Sequence, residues 1–202
     1  MKVTVGIPVY TQQDLVIRAI ESIPKRPDVE ILVVDDGSTD NTWKNLLHYR
    51  DTHDNVNLVL LYNEENKGVG YTVNKIYDNA TGEYIVLLGS DDYIFADKFE
   101  KCLEMLDGTD LVYFDVIINN GEIWHLNDDK KTLLCGSYKF MRKDFIGDTR
   151  CPEVATAEDK PFYNELLEKN PTEKFSGVIL KHYNHPRDGS LTDKVRKGIL
   201  HE

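Results

Sequence analysis

Cysteine is scarce in this chain. Cys102, Cys135 and Cys151 are spread through 202 residues. An odd number with no CxxC spacing excludes a disulfide framework and a cysteine-ligated metal site, and suits a reducing compartment. Long hydrophobic runs are missing as well. The longest, around Ile31–Val34 and Tyr84–Leu88, have strand length, well short of the ~18 apolar residues of a membrane span. The amino end enters a strand-like run, Val3-Thr-Val5, in place of a leader pattern, so a cytoplasmic location is expected. Positive charge is in deficit: 24 Lys and Arg against 35 Asp and Glu, a net −11. That balance excludes a protein held to nucleic acid or anionic membrane by bulk charge, though not one with a local basic groove. What remains is ordinary globular composition, 41% hydrophobic and 29% charged, in a length that fits one domain.

Strand and helix patterns alternate through the first half. Val3–Val9 is apolar and β-rich, and Asp14–Ile23 has helical spacing closed by Pro24. Val29–Val34 is a continuous apolar run, as in a central strand buried on both faces. Helix patterns follow at Thr42–Asp51, Gly68–Asn79 and Lys98–Leu106, with strand patterns at Val56–Tyr62, Glu83–Leu88 and Leu111–Ile118. Strands separated by helices of about ten residues pair in parallel through right-handed crossovers. The fold class expected is therefore α/β, a Rossmann-like, mainly parallel sheet flanked by helices. Beyond residue 119 the pattern thins to strand segments near Ile123–Leu126, Ser137–Arg142 and Phe175–Tyr183 and a helix over Lys160–Lys169.

Ligands of such sheets bind at the carboxyl ends of the strands, and this decides which polar residues matter. Three Asp-Asp pairs occur, at 35–36, 91–92 and 128–129. A chain with 21 aspartates makes about two by chance, so the pairs alone prove nothing. Asp128-Asp129 reads as a solvated loop. Asp91-Asp92 ends a strand through Gly89-Ser90, and two carboxylates fixed there make a hard oxygen site for Mg²⁺ or Mn²⁺. The plainer reading is a turn capping the next helix, although Asp97 is the better cap. Asp35-Asp36 runs on into Gly-Ser-Thr-Asp40, which supplies either a helix cap or acceptors for a nucleobase N–H and a ribose hydroxyl. Gly68 opens a helix pattern and would let the backbone approach a ligand closely.

Taken together, Pro8-Val-Tyr10, Ile31–Thr42, Asn66–Asn74 and Leu87-Leu-Gly-Ser-Asp-Asp92 resemble, in order and spacing, the family 2 glycosyltransferases of GT-A fold. The resemblance covers roughly residues 1–110 and continues more thinly through Ala157-Glu158-Asp159 and Tyr163 to about Ser190. It implies one GT-A domain: a nucleotide-sugar half over 1–118, an acceptor half over 119–190 and a tail over 191–202. By the same resemblance Pro8 and Tyr10 lie along the nucleotide pocket, and Asp35 and Asp36 hold base and ribose. Gly68, Asn74 and Ser90 join the nucleotide-sugar contacts. Asp91-Asp92 matches the DxD-type motif, with Asp92 the direct metal ligand and Asp91 facing ribose or sugar. Glu158-Asp159 matches the family's Glu-Asp pair, whose Asp159 is the general base; its plainer reading is a helix start. Two departures bear on the donor: Gly89 stands where the family often has Asp, and Val73 where Arg is frequent.

The tail Lys181–Ser190 gathers cations and imidazoles. His182 or His185 would touch metal or phosphate and Arg187 would offset charge, against the alternative of strand-end and surface residues. His48, His53, His125 and His201 show no partner pattern. Trp43 and Trp124 read as packing, with Trp124-His125 as an acceptor wall the alternative.

The implied reaction moves a sugar from a nucleoside-diphosphate donor, UDP foremost, to an acceptor hydroxyl with inversion. Mn²⁺ or Mg²⁺ offsets the departing diphosphate, and Asp159 takes the acceptor's proton. The acceptor stays open: glycan, lipid-linked sugar, protein or modified nucleic-acid base. A nucleotidyltransferase would show a Gly-rich basic loop where Gly6-Ile-Pro-Val-Tyr10 stands. A receiver-type domain would show a lysine near Ile118. A silent sugar-nucleotide-binding module would have no need of both Asp91-Asp92 and Glu158-Asp159.

Overall fold

A computed structural model describes residues 2–54, 56–127, 137–153, 159–190, 193–194 and 197–198. Among them the elements run β1 (Val3–Val9), α1 (Val16–Glu21), β2 (Val29–Asp35), α2 (Thr42–Thr52), β3 (Leu58–Tyr62), α3 (Val69–Asn79), β4 (Tyr84–Leu87), β5 (Tyr93–Ile94), α4 (Ala96–Leu103), β6 (Leu111–Ile118), β7 (Ile123–Trp124), β8 (Lys139–Arg142), α5 (Lys143–Ile146), α6 (Asp159–Glu168) and β9 (Glu173–Tyr183). One sheet holds the strands in the order β3-β2-β1-β4-β8-β6-β9-β5, with β7 paired to β6. β3, β2, β1 and β4 are mutually parallel. β8 runs antiparallel to both β4 and β6, while β9 is parallel to β6. The sheet is therefore mixed.

Local chemistry accounts for these elements. Every residue of β2, Val-Glu-Ile-Leu-Val-Val-Asp, is buried. Its one mid-strand charge, Glu30, is satisfied by the Thr4 hydroxyl at 2.6 Å, the Thr81 hydroxyl at 2.6 Å and the Thr81 amide at 2.8 Å. A buried carboxylate persists on such terms. α3 buries Val73, Ile76 and Tyr77 and sits low on the sheet at Gly6, where a Cβ would come within 2.4 Å of the Ile76 side chain. α4 buries Phe99, Cys102 and Leu103, Phe99 packing edge-on against Phe140 of β8. Burial pushes the Cys102 thiol up to about 12, which leaves it a packing residue.

Several segments differ from the patterns. α1 and α4 are shorter than their apolar periodicity, β5 and α5 carry no sequence signal of their own, and Asp97 lies inside α4 behind an uncapped start at Phe95. β8, from the region beyond residue 119, inserts between β4 and β6. Asp128-Asp129, Cys135, Glu158 and His201 lie outside the described residues. No helix among the described residues is long and apolar enough to cross a membrane.

Candidate active site

Because β1, β2 and β4 are parallel, their carboxyl ends open on one edge. Val9 of β1 is opposite Asp35 of β2, and Gly6 is opposite Leu87 of β4. Asp35-Asp36 and Asp91-Asp92 thus emerge on either side of Pro8–Tyr10, two strand spacings or roughly 10 Å apart. Beside them a cavity of about 240 Å³ is lined by Pro8, Leu88, Gly89, Tyr138, Tyr163 and Tyr183, among others. Residues far apart in the chain therefore meet at one rim. Tyr10, just past the end of β1, is 42% exposed and is not among the residues that line the cavity.

The first acidic pair divides its work. Asp36 accepts the Asn63 amide at 2.8 Å, the Lys67 N–H at 2.9 Å and the Gly68 N–H at 2.9 Å. Its carboxylate and the Gly68 amide are thereby committed to each other and to closing the loop that enters α3. This departs from the expectation that both face a ligand. Asp35 is different. Its Oδ1 accepts the Ser38 N–H at 2.8 Å, but Oδ2 is buried with no partner among the described residues. Burial raises its pKa, against the hydrogen bonds from Ser38. An orphaned buried acceptor is costly, and a ligand N–H or O–H would relieve it.

The second pair divides likewise. Asp92 accepts the Asn184 N–H on Oδ1 at 2.9 Å and pairs Oδ2 with the Lys181 ammonium at 3.1 Å. Both side chains are almost wholly buried, 2% and 1% exposed. Asp91 pairs one oxygen with Arg187 Nε at 2.6 Å and is 20% exposed. Burial and neighbouring Asp92 raise its pKa while Arg187 opposes them. A Cβ on Gly89 would lie 2.8 Å from Asp92 Oδ2 and 3.2 Å from Asp91 Oδ1, so a third aspartate at that position has no room beside these two. Ser90 is buried in the turn between them.

A divalent cation fits Asp91 better than Asp92, both of whose oxygens are engaged. Mg²⁺-type sites need only one or two carboxylates when substrate phosphates complete the shell. Among the described residues no three His, Cys, Asp or Glu side chains group into a self-sufficient site. His182 feels the charge of Asp92. Neighbouring strand residues point to opposite faces; Lys181 turns to Asp92, and the His182 ring stacks on Tyr93 at 4.6 Å and 7°. Its pKa is lowered, chiefly by burial. The ring is thus packed on Tyr93, while its Nδ1 is buried with no partner among the described residues.

Asn74 also has a structural task. Its amide donates to the Cys151 carbonyl at 2.8 Å and its carbonyl accepts the Cys151 N–H at 2.8 Å. This clasp fixes the segment that leads toward Asp159, in place of the expected nucleotide contact. Asn74→Ala is expected to lose about 1–3 kcal/mol of stability by stranding both buried backbone groups, read by urea denaturation; an unchanged midpoint would refute the clasp. Asp159 opens α6, a turn before Phe162 and Tyr163, which both line the cavity. Its side chain lies outside the described part.

Sequence reasoning missed Lys181 as the partner of Asp92, and Cys151. The signal for Lys181 was available: a lysine closing the apolar run Val178-Ile-Leu stays buried only if paired. Arg187 was foreseen as a charge offset and is found on Asp91.

Comparison with known proteins places this geometry. The profile of Glycosyl transferase family 2 matches residues 4–170. A Bacillus subtilis (strain 168) protein named as a teichuronic acid biosynthesis glycosyltransferase, TuaG, is 30% identical over 190 residues, covering 84% of this chain and 73% of its own length. Chondroitin synthase of Escherichia coli is 26% identical over 94% of this chain, which spans only 30% of that protein. Among solved structures, S. aureus TarS 1-349 with UDP-GlcNAc superposes with a TM-score of 0.80 at 24% identity, over 94% of this chain and 60% of that one. A Pyrobaculum calidifontis mannosyltransferase with GDP-Man and Mn²⁺ gives 0.76 at 19% identity, over 97% and 60%.

Proposed function

The chain belongs to glycosyltransferase family 2, and from that premise we propose that it transfers a glycosyl group from a UDP-sugar to an acceptor hydroxyl with inversion. The observation that carries the reading is the buried oxygen of Asp35, without a partner among the described residues, set at the same strand edge as the partly exposed carboxylate of Asp91. Asp35 accepts an N–H or O–H of the nucleoside. Pro8 and Tyr10 flank the base. Asp36, Gly68 and Asn74 shape the pocket through the loops they close.

Asp91, together with the donor's diphosphate, would hold Mn²⁺ or Mg²⁺, which would supply Lewis-acid stabilisation of the leaving group. Arg187 sits where released diphosphate charge would gather and offsets it. Lys181 pairs with Asp92 and holds the Asp-Asp turn in place. Asp159 takes the proton of the acceptor hydroxyl as that oxygen attacks the anomeric carbon from the face opposite the diphosphate. UDP is favoured over GDP by the TarS complex, while the mannosyltransferase complex keeps GDP as the comparison to run. A silent binding module is separated from this reading by turnover.

The test is a thermal-shift panel of UDP-, GDP- and dTDP-sugars with and without Mn²⁺. A ligand at a hundred times its Kd stabilises by about 2.7 kcal/mol. UDP-sugars are expected to shift the melting temperature most, and more with Mn²⁺. Asp35→Asn should weaken nucleotide affinity about tenfold by removing one charged acceptor while leaving the apo protein no less stable. A panel in which no nucleotide sugar shifts the wild type overturns the proposal.

A further inference from the structure

The Asp-Asp turn after β4 holds two ion pairs that differ in kind. Lys181 and Asp92 meet almost wholly buried. Breaking such a pair strands a charge away from water, so it stays as it is. Arg187 and Asp91 are 26% and 20% exposed, with Arg187 Nε 2.6 Å from Asp91 Oδ2. A pair that water reaches is worth little and exchanges partners readily. The same turn therefore carries one fixed counter-ion and one that can leave.

The sign of the local charge is a second observation. The exposed Arg18 of α1 donates Nη2 to the Asp91 carbonyl at 2.5 Å. Among the described residues, two carboxylates of the turn are thus met by three cations, Arg18, Lys181 and Arg187. A divalent ion arriving alone meets an excess of positive charge, which repels it. A nucleoside-diphosphate sugar carries one negative charge on each phosphate. It is drawn to the same cluster and cancels the charge of a divalent ion that comes with it. The chain around Arg187 is pinned on both sides. The Pro186 carbonyl accepts the Asn119 amide at 3.0 Å, the Arg187 carbonyl accepts the Ser190 N–H at 3.2 Å, and the Gly189 N–H donates to Asp193 at 2.8 Å. What can move is the Arg187 side chain, and its backbone keeps it within reach of Asp91.

We propose that Arg187 is an exchangeable counter-ion for Asp91. It occupies the Asp91 carboxylate until a divalent cation arrives with the diphosphate, and then passes from the carboxylate to the diphosphate. The site thereby takes up the cation as a complex with the sugar nucleotide and discriminates against the free ion. Only ionic contacts change partners. This rests on the transferase reading above and adds to it the form in which the cation is loaded.

The experiment uses the full chain and two binding titrations. Mn²⁺ alone is followed by the electron paramagnetic resonance of the free ion, and UDP in EDTA by calorimetry. Arg187→Gln should move the two in opposite directions. Mn²⁺ alone should bind about tenfold more tightly than to wild type, because Asp91 has lost its competitor. UDP without metal should bind about tenfold more weakly, because the cluster has lost a cation and Asp91 stands unpaired beside the diphosphate. Both are the weight of one charge-assisted contact. Arg187→Lys, which keeps the charge, should recover part of each shift. A merely structural role would weaken both ligands together and lower the melting temperature. Both affinities falling, or Mn²⁺ alone binding Arg187→Gln no more than about twofold better than wild type, overturns the exchange and leaves the transferase reading standing. A wild type that binds UDP neither in EDTA nor with Mn²⁺ overturns that reading, and the exchange with it.

Discussion

Asp92→Ala should lower folding stability by about 3–5 kcal/mol, the usual cost of removing one partner from a buried ion pair. Lys181 and Asp92 are both almost fully buried, 3.1 Å apart. The ammonium also donates to the Ser137 hydroxyl at 2.7 Å and lies over the rings of Tyr138 and Tyr183. Those neighbours solvate part of its charge, but they carry none to balance it. Deleting Asp92 strands a cation in the sheet and frees the Asn184 amide that ties the segment after β9 to the Asp-Asp turn. Lys181→Met should destabilise by a similar amount. The double variant Asp92→Leu with Lys181→Met should regain most of the loss, since apolar replacement of a buried pair is often neutral. Urea denaturation of the four proteins measures the three differences from wild type. An Asp92→Ala variant within about 1 kcal/mol of wild type would show that the pair is not buried and coupled as described. Asp91→Ala, by contrast, should keep the fold and lose the Mn²⁺-dependent part of the donor's thermal shift.

Asp159→Asn should cut turnover by about 10²–10⁴, the range of a general base, which is ~2.7–5.5 kcal/mol of barrier at 1.36 kcal/mol per decade. The amide keeps size and polarity but cannot take the acceptor's proton. Phe162 and Tyr163, one turn further along α6, line the cavity that contains Gly89, which brings the start of the helix to the same space as the Asp-Asp turn. Donor affinity, followed by thermal shift, should be unaltered, so the loss falls on kcat. Turnover equal to wild type would remove Asp159 from the role and leave it a helix-start carboxylate favoured by the dipole.

Much of the fold was legible because its signals are local. The apolar runs at Val3–Val9, Val29–Val34 and Leu111–Ile118 became β1, β2 and β6 almost residue for residue. Burial on both faces leaves such strands no polar alternation to misread. The ends of helices were less legible: α1 closes at Glu21 and α4 at Leu103 although apolar residues continue. The short β5 exists only because β9 passes beside it.

The amino-acid order alone determined that acidic turns follow two buried parallel strands, and hence that they share an edge. That is geometry dictated by strand period and crossover handedness, and it needs no partner from elsewhere. Only the tertiary structure decided which carboxylate of each turn is spent on the protein. Asp36 closes a loop and Asp92 meets Lys181, while Asp35 and Asp91 keep an oxygen for something else. Asn74 clasps a backbone segment 77 residues away, and His125 meets Asp115, ten residues earlier on another strand. The physical reason is degeneracy: any of 24 cations satisfies an aspartate equally well in sequence, and burial, which belongs to the folded chain, selects the one.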